Sequence, residues 1–137
     1  MENMPEFTLH RPGTAEEAAK LKASDDSSRY LAGGTDMIVN VRRGIEAPET
    51  MIDLTAIGEI TQIAVDGDGL RIGAGVKLAD LCVHADIVAK YPAIAEAAAS
   101  VAGPTHRSYG TIGGNLCLDT RCLFYNQTSE KRTLGSF

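Results

Sequence analysis

Apolar and polar positions alternate over Phe7-Thr8-Leu9-His10, and Pro12-Gly13 stops the run, which predicts a short N-terminal strand. Thr14 then opens a helix. Glu17 stands three residues later, as in a capping box. Glu16 and Lys20 lie four apart in the favourable order, and Ala15, Ala18 and Leu21 supply a thin apolar face. Ser24 to Ser28 reads as a polar loop. Tyr30-Leu31-Ala32 is a brief apolar run, expected as a buried strand, that ends at Gly33-Gly34-Thr35-Asp36. Met37, Ile38 and Val41 recur at helical spacing, with Gly44 placed as a C-terminal cap, and Thr50 to Leu54 reads as another strand. Strand, glycine turn, helix, strand predicts a βαβ unit with its glycines at the carboxyl end of the first strand.

The pattern changes near residue 55, taken as a subdomain boundary. Ile60 to Val65 and Leu70 to Ala74 predict a hairpin across Asp66-Gly67-Asp68-Gly69, since Asp-Gly between alternating arms is a strong hairpin signal. Leu78 to Val88 reads as one helix with Leu78, Leu81, Cys82 and Ala85 on a common face, which makes Cys82 a core residue. Pro92 suits the first turn of an alanine-rich helix that runs from Ala93 to Ala102 and closes at Gly103-Pro104.

Composition narrows the function classes. The chain has 137 residues, 44% hydrophobic and 23% charged, which suits one domain with a genuine core. Its net charge of −5, with no Lys/Arg cluster beyond Arg42-Arg43, argues against nucleic acid or an anionic membrane as main partner. No apolar run reaches membrane-span length, and the N-terminus lacks the basic start and apolar stretch of a secretory signal. Three cysteines, an odd number, fit a reducing cytoplasm better than a disulfide framework.

Candidate chemistry gathers at two glycine pairs. At Gly33-Gly34 a βα turn could admit a phosphate to free backbone N–H groups. Asp36 leaves two arrangements open: it caps the helix while a ligand uses the Gly33–Thr35 amides, or it turns towards a ligand hydroxyl. A capped turn with no ligand is the bland alternative. Neither a G-x-x-x-x-G-K-[ST] loop nor a third glycine after Gly73-Ala74-Gly75 is present, which excludes two familiar phosphate loops. The second pair, Gly113-Gly114, stands between Thr111 and Asn115, and is expected either to turn with positive φ or to approach a ligand closely. Cys117 and Cys122 follow, near enough to serve one metal centre. The bland alternative here is a glycine turn between strands with two buried thiols. Asp66 and Asp68 lack the glutamate of a calcium loop and read as a turn.

Taken together, LAGGTDMI at 31–38 and TIGGN at 111–115 resemble the two FAD-contacting loops in the medium subunit of molybdenum hydroxylases, the family of xanthine and carbon monoxide dehydrogenases. The stretch GNLCLDTRCLFYNQ at 114–127 looks like the β subunit of 4-hydroxybenzoyl-CoA reductase, which carries an inserted [4Fe–4S] loop. The resemblance implies an α+β, PCMH-type FAD-binding fold. Its βαβ subdomain would cover 1–55, and the first part of a second α/β subdomain would cover 56–137. It implies that Leu31, Ala32, Gly33, Gly34, Thr35 and Asp36 line the FAD diphosphate, that Thr111, Gly113, Gly114 and Asn115 approach it from the second subdomain, and that Cys122 matches the first cluster ligand. No substrate chemistry is implied here: the subunit relays electrons between a molybdopterin-bearing large subunit and a small [2Fe–2S] subunit. Two alternatives stand beside the reductase type: a medium subunit without the extra cluster, and a remnant that binds no cofactor. Phe137 falls within the implied inserted loop, so the chain reads as a truncated subunit that is inactive and self-associating by itself.

Overall fold

In the computed structural model, which describes residues 4–119 and 122, the first third of the chain builds a parallel sheet. Strands β1 (Thr8–His10), β2 (Arg29–Leu31) and β3 (Thr50–Asp53) lie in the order β1-β3-β2. Leu9 pairs with Met51 on one side of the central strand, and Tyr30 pairs with Ile52 on the other. Parallel neighbours need crossover connections, and helices α1 (Ala15–Ser24) and α2 (Met37–Arg42) provide them. The expected βαβ unit is therefore β2-α2-β3, and the N-terminal strand joins the free edge of β3. As the middle strand, β3 is covered on both faces: Met51 and Ile52 are fully buried.

Local chemistry sets the ends of these helices. The Thr14 hydroxyl accepts from the Glu17 N–H at 3.2 Å, and the Glu17 carboxylate accepts from the Gly13 N–H at 2.9 Å, one residue before the usual capping-box donor. Gly44, at φ 68°, closes α2 by donating to the Val41 carbonyl at 3.0 Å. Ala18 and Ile52 form a small core with Ile57, against which Leu21, Leu54 and Ile60 pack. Ala15 is exposed instead, and its amide donates to the Glu59 carboxylate at 2.6 Å.

After a 3-10 turn (Gly58–Thr61), strands β4 (Ile63–Asp66) and β5 (Gly69–Ile72) form the predicted hairpin, with Gly67-Asp68 as its loop. The first arm starts later than expected. Ile60 lies in the 3-10 turn, and its carbonyl accepts from the Gly75 N–H at 2.8 Å.

The single helix expected over 78–88 is two helices, α3 (Leu78–Val83) and α4 (Ala85–Lys90), separated by His84 in an extended conformation. The reason lies in Leu81 and Ile87. Six residues apart on one continuous helix, they would point about 120° away from each other. The break lets both become fully buried in one core, while Ala85 stays exposed. Helix α5 (Pro92–Ser100) adds Ala95 and Ala98 to that core, alongside Val76 and Leu78. Cys82 is half-buried against it, with its thiol on the Leu78 carbonyl at 3.0 Å. Helices α6 (Pro104–Tyr109) and α7 (Ile112–Leu116) complete the described residues. The implied cluster loop after Cys122 lies outside them.

Helix α5 ends two residues before the expected Ala102, which has φ 46° and is the one non-glycine residue with positive φ among the described residues. The Arg107 guanidinium fixes this turn by donating to the Val101 carbonyl at 3.0 Å and the Ala102 carbonyl at 2.7 Å. A Cβ in the left-handed region costs roughly 1–2 kcal/mol, more than the roughly 0.5–1 kcal/mol that glycine's freedom costs in the unfolded chain. Ala102→Gly is therefore expected to raise the unfolding free energy by roughly 0.5 kcal/mol, seen as a higher urea midpoint at unchanged slope.

Candidate functional site between two glycine segments

Where β2 ends, the chain runs through Ala32–Thr35 and passes directly against α6. A Cβ at Gly33 would collide with the Tyr109 carbonyl, so main chain meets main chain there. Just beyond, the Gly110 carbonyl accepts from the Leu78 N–H at 2.9 Å, and Lys77 pairs with Thr111 in an isolated antiparallel bridge. The first glycine segment, the start of α3 and the second glycine segment thus meet at residues 109–111.

The amides of Gly33, Gly34 and Thr35 find no acceptor among the described residues. Asp36 does not cap α2 with its side chain; its carboxylate accepts from Asn40 Nδ2 at 3.1 Å. The arrangement in which Asp36 caps the helix is thereby set aside.

Of the two roles open to Gly113 and Gly114, the structure removes the positive-φ turn. Both are helical, within α7, and the positive-φ glycines among the described residues are Gly34, Gly44 and Gly67. Thr111 begins the helix, its hydroxyl oxygen accepting from the Gly114 N–H at 3.1 Å. Gly113 lies so near the chain at Ala74 that a Cβ would stand 2.7 Å from the Ala74 Cβ and 2.8 Å from its carbonyl oxygen. That approach carries a hydrogen bond from the Gly113 N–H to the Ala74 carbonyl at 2.8 Å, and Ile112 makes an equal one to Val76. The Asn115 N–H is also used, on the Thr111 carbonyl at 2.9 Å. Every amide from 112 to 115 is satisfied internally. This segment can offer a ligand only bare backbone surface and the Thr111 and Asn115 side chains.

The two segments face one cavity of about 880 Å³. Ala32, Gly33, Gly34, Thr35 and Asp36 line it from one side, and Thr111, Gly113, Gly114 and Asn115 from the other. Leu31 does not line it, being the last residue of β2, with its carbonyl on the Leu54 N–H at 2.8 Å. Cys117 lies on the wall and Cys122 does not; both are exposed. Among the described residues no group of three or more His, Cys, Asp or Glu side chains is placed to hold a metal.

Sequence reasoning missed Lys77, Tyr109 and Thr55, which also line the cavity. Lys77 carries no sequence signal beyond a lone charge before an apolar helix. Thr55 is held by Asp53 at the end of β3, whose carboxylate accepts from the Thr55 N–H at 2.9 Å and its hydroxyl at 2.6 Å, and pairs with Arg11 Nε at 3.0 Å. Burial pushes the Asp53 carboxyl up, but the Thr55 hydrogen bonds and the Arg11 charge outweigh it and leave the group below 3.8. A carboxyl depressed by folding contributes stability that is fully present above 3.8 and is lost as pH falls through its folded value. Asp53→Asn is expected to flatten the acid limb of a stability–pH curve below 3.8 and to leave its neutral limb parallel to the wild type.

The family model described as "FAD binding domain in molybdopterin dehydrogenase" matches residues 5–122. The aldehyde oxidoreductase FAD-binding subunit PaoB of Escherichia coli is 34% identical over 97% of this chain and 43% of its own length. The carbon monoxide dehydrogenase medium chain of Afipia carboxidovorans is 36% identical over 80% of this chain and 38% of its own. A solved carbon monoxide dehydrogenase from Hydrogenophaga pseudoflava superposes with a TM-score of 0.81 at 33% identity, covering 83% of this chain and 40% of that one. The chain thus spans about two-fifths of the length of these relatives, as the quoted shares of 43%, 38% and 40% show. With the two glycine segments facing one cavity in a matching fold, the chain belongs to the family of FAD binding domains of molybdopterin dehydrogenases.

Proposed function

We propose that this chain is the FAD-holding part of the medium, electron-relaying subunit of a molybdenum hydroxylase. The observation that carries this reading is the convergence of the two glycine segments on one cavity. Its volume of about 880 Å³ falls within the roughly 300–1,000 Å³ of ligand pockets. The residues fit the cofactor. The amides at 33–35 are free to donate to a diphosphate, Gly113 and Gly114 present no side chain, and Asn115 supplies an amide for a ring edge or a ribose. A flavin bound there would take up and pass on electrons, while the chain's own residues bind, orient and shield it.

The partners we assign are a molybdopterin-bearing large subunit and a small [2Fe–2S] subunit. Within the family, the run CLDTRCLFYNQ favours the 4-hydroxybenzoyl-CoA reductase type. Its additional [4Fe–4S] cluster takes four thiolates, and the chain's three cysteines do not fit that number. Cys82 is turned to the core, which leaves the exposed Cys117 and Cys122 as candidate ligands, of which Cys122 matches the first cluster ligand by resemblance. The likeness to aldehyde and carbon monoxide oxidising relatives favours the second reading, a medium subunit without that cluster. Leu116 is 77% exposed and Tyr109 59%, and the self-association expected of the isolated chain would rest on such surface.

The test is a visible spectrum of the purified chain after incubation with FAD and gel filtration, with acid extraction of the flavin and an iron assay. Flavin bands that elute with the protein are the expected result. A colourless protein would overturn the reading and leave a folded domain without cofactor. Bound iron that Cys122→Ser removes, with flavin retained, selects the reductase type.

A further inference from the structure

We propose that Lys77 is the cation that neutralises the anionic diphosphate of the cofactor in this cavity, a role that rests on the flavin reading above. A diphosphate brings two negative charges into a cavity whose wall is made mostly of apolar side chains, main chain and uncharged polar groups. The free amides at 33–35 carry only partial charge, and the carboxylate of Asp36 on the same wall opposes the ligand. Among the described residues that line the cavity, the basic side chains are Lys77 and His106, and Lys77 supplies the one ammonium.

The placement of Lys77 is built by the main chain. Its bridge to Thr111, and the hydrogen bond from the Leu78 N–H to the Gly110 carbonyl, fix its Cα beside the second glycine segment. The first glycine segment abuts the same stretch at Tyr109. Lys77 and the unsatisfied amides therefore flank residues 109–111 together, from different elements. No carboxylate pairs with the Lys77 ammonium among the described residues. Its Nζ stands 6.0 Å from the Tyr109 ring centroid, the outer limit of a cation–π contact. So weak a hold leaves the ammonium available to an anion, while an ion pair would have to be broken first. The strength of the contact is bounded by the exposure of the side chain, because salt screens open charges over about 10 Å at 0.1 M.

The test titrates the full chain, as wild type, K77Q and K77R, with FAD and separately with riboflavin, which has the ring system and no phosphate. Flavin fluorescence reads binding at low and moderate salt, and far-UV circular dichroism checks that each variant folds. The expected result is that K77Q weakens FAD about tenfold and flattens its salt dependence, as loss of one charge-assisted contact does. Riboflavin affinity should not move, and K77R should stay near the wild type. If wild type takes up FAD and K77Q binds it within about twofold, the role of Lys77 fails and the flavin reading stands. Equal weakening of FAD and riboflavin would also overturn it, showing that Lys77 acts through packing. A wild-type chain that takes up no FAD overturns both.

Discussion

Gly33→Ala is expected to abolish flavin retention and to lower the unfolding free energy by about 2–3 kcal/mol, at the upper end for overpacking by a single methyl. The new Cβ would occupy the place of the Tyr109 carbonyl. Neither side of that contact has a flexible side chain that could swing away, since both are main chain. Relief must come from moving the 32–36 segment away from α6, and that shift opens the wall that places the free amides beside Lys77 and Thr111. Urea unfolding and FAD gel filtration on the same preparation measure both effects. Gly13→Ala is the control: a Cβ there meets nothing within 4 Å, and its effect should stay within about 0.5 kcal/mol. If Gly33→Ala behaved like Gly13→Ala, the close approach of the two segments would be refuted.

Leu81→Ala should cost about 3–4 kcal/mol, a large share of the roughly 5–15 kcal/mol that holds a domain together. Leu81 is fully buried where α3 meets α5 and α4 returns to the core, with Ile87, Ala95 and Ala98 around it. Alanines on α5 cannot extend to fill the space a leucine leaves, so a cavity persists. Calorimetry should show a lower midpoint for Leu81→Ala, whereas Val83→Ala, on a side chain 77% exposed, should leave it within about a degree or two. A small loss at Leu81 would mean that α3 and α5 do not share a core.

The features legible in the sequence were those fixed by nearby residues. Thr14 with Glu17, Gly44 and the Asp-Gly turn each carry their reason within a few positions, and each produced the expected element. The break at His84 was not legible, because its cause is a shared destination for Leu81 and Ile87 that only the packed α5 defines. Helix α7 was hidden for a similar reason. Two adjacent glycines disfavour a helix by roughly 1 kcal/mol each. The Thr111 cap and the need to pass close to Ala74 override that preference. Resemblance, and not spacing, brought the two glycine segments to one site. The structure adds that they contribute differently: free amides from the first, and an internally satisfied surface from the second. Lys77 was missed because its position depends on a bridge to a residue far along the chain.

The joint between Gly33 and Tyr109 also shapes how this protein can vary. Tyr109 enters that joint through its carbonyl, which every amino acid possesses, and its ring stays outside at 59% exposure. Random substitution across the joint should therefore yield a lopsided tolerance map: many residues accepted at 109, and glycine alone at 33. The width of the gap is set by peptide geometry and not by side-chain volumes. Sequences could drift widely on both sides of it without resizing the space that they enclose.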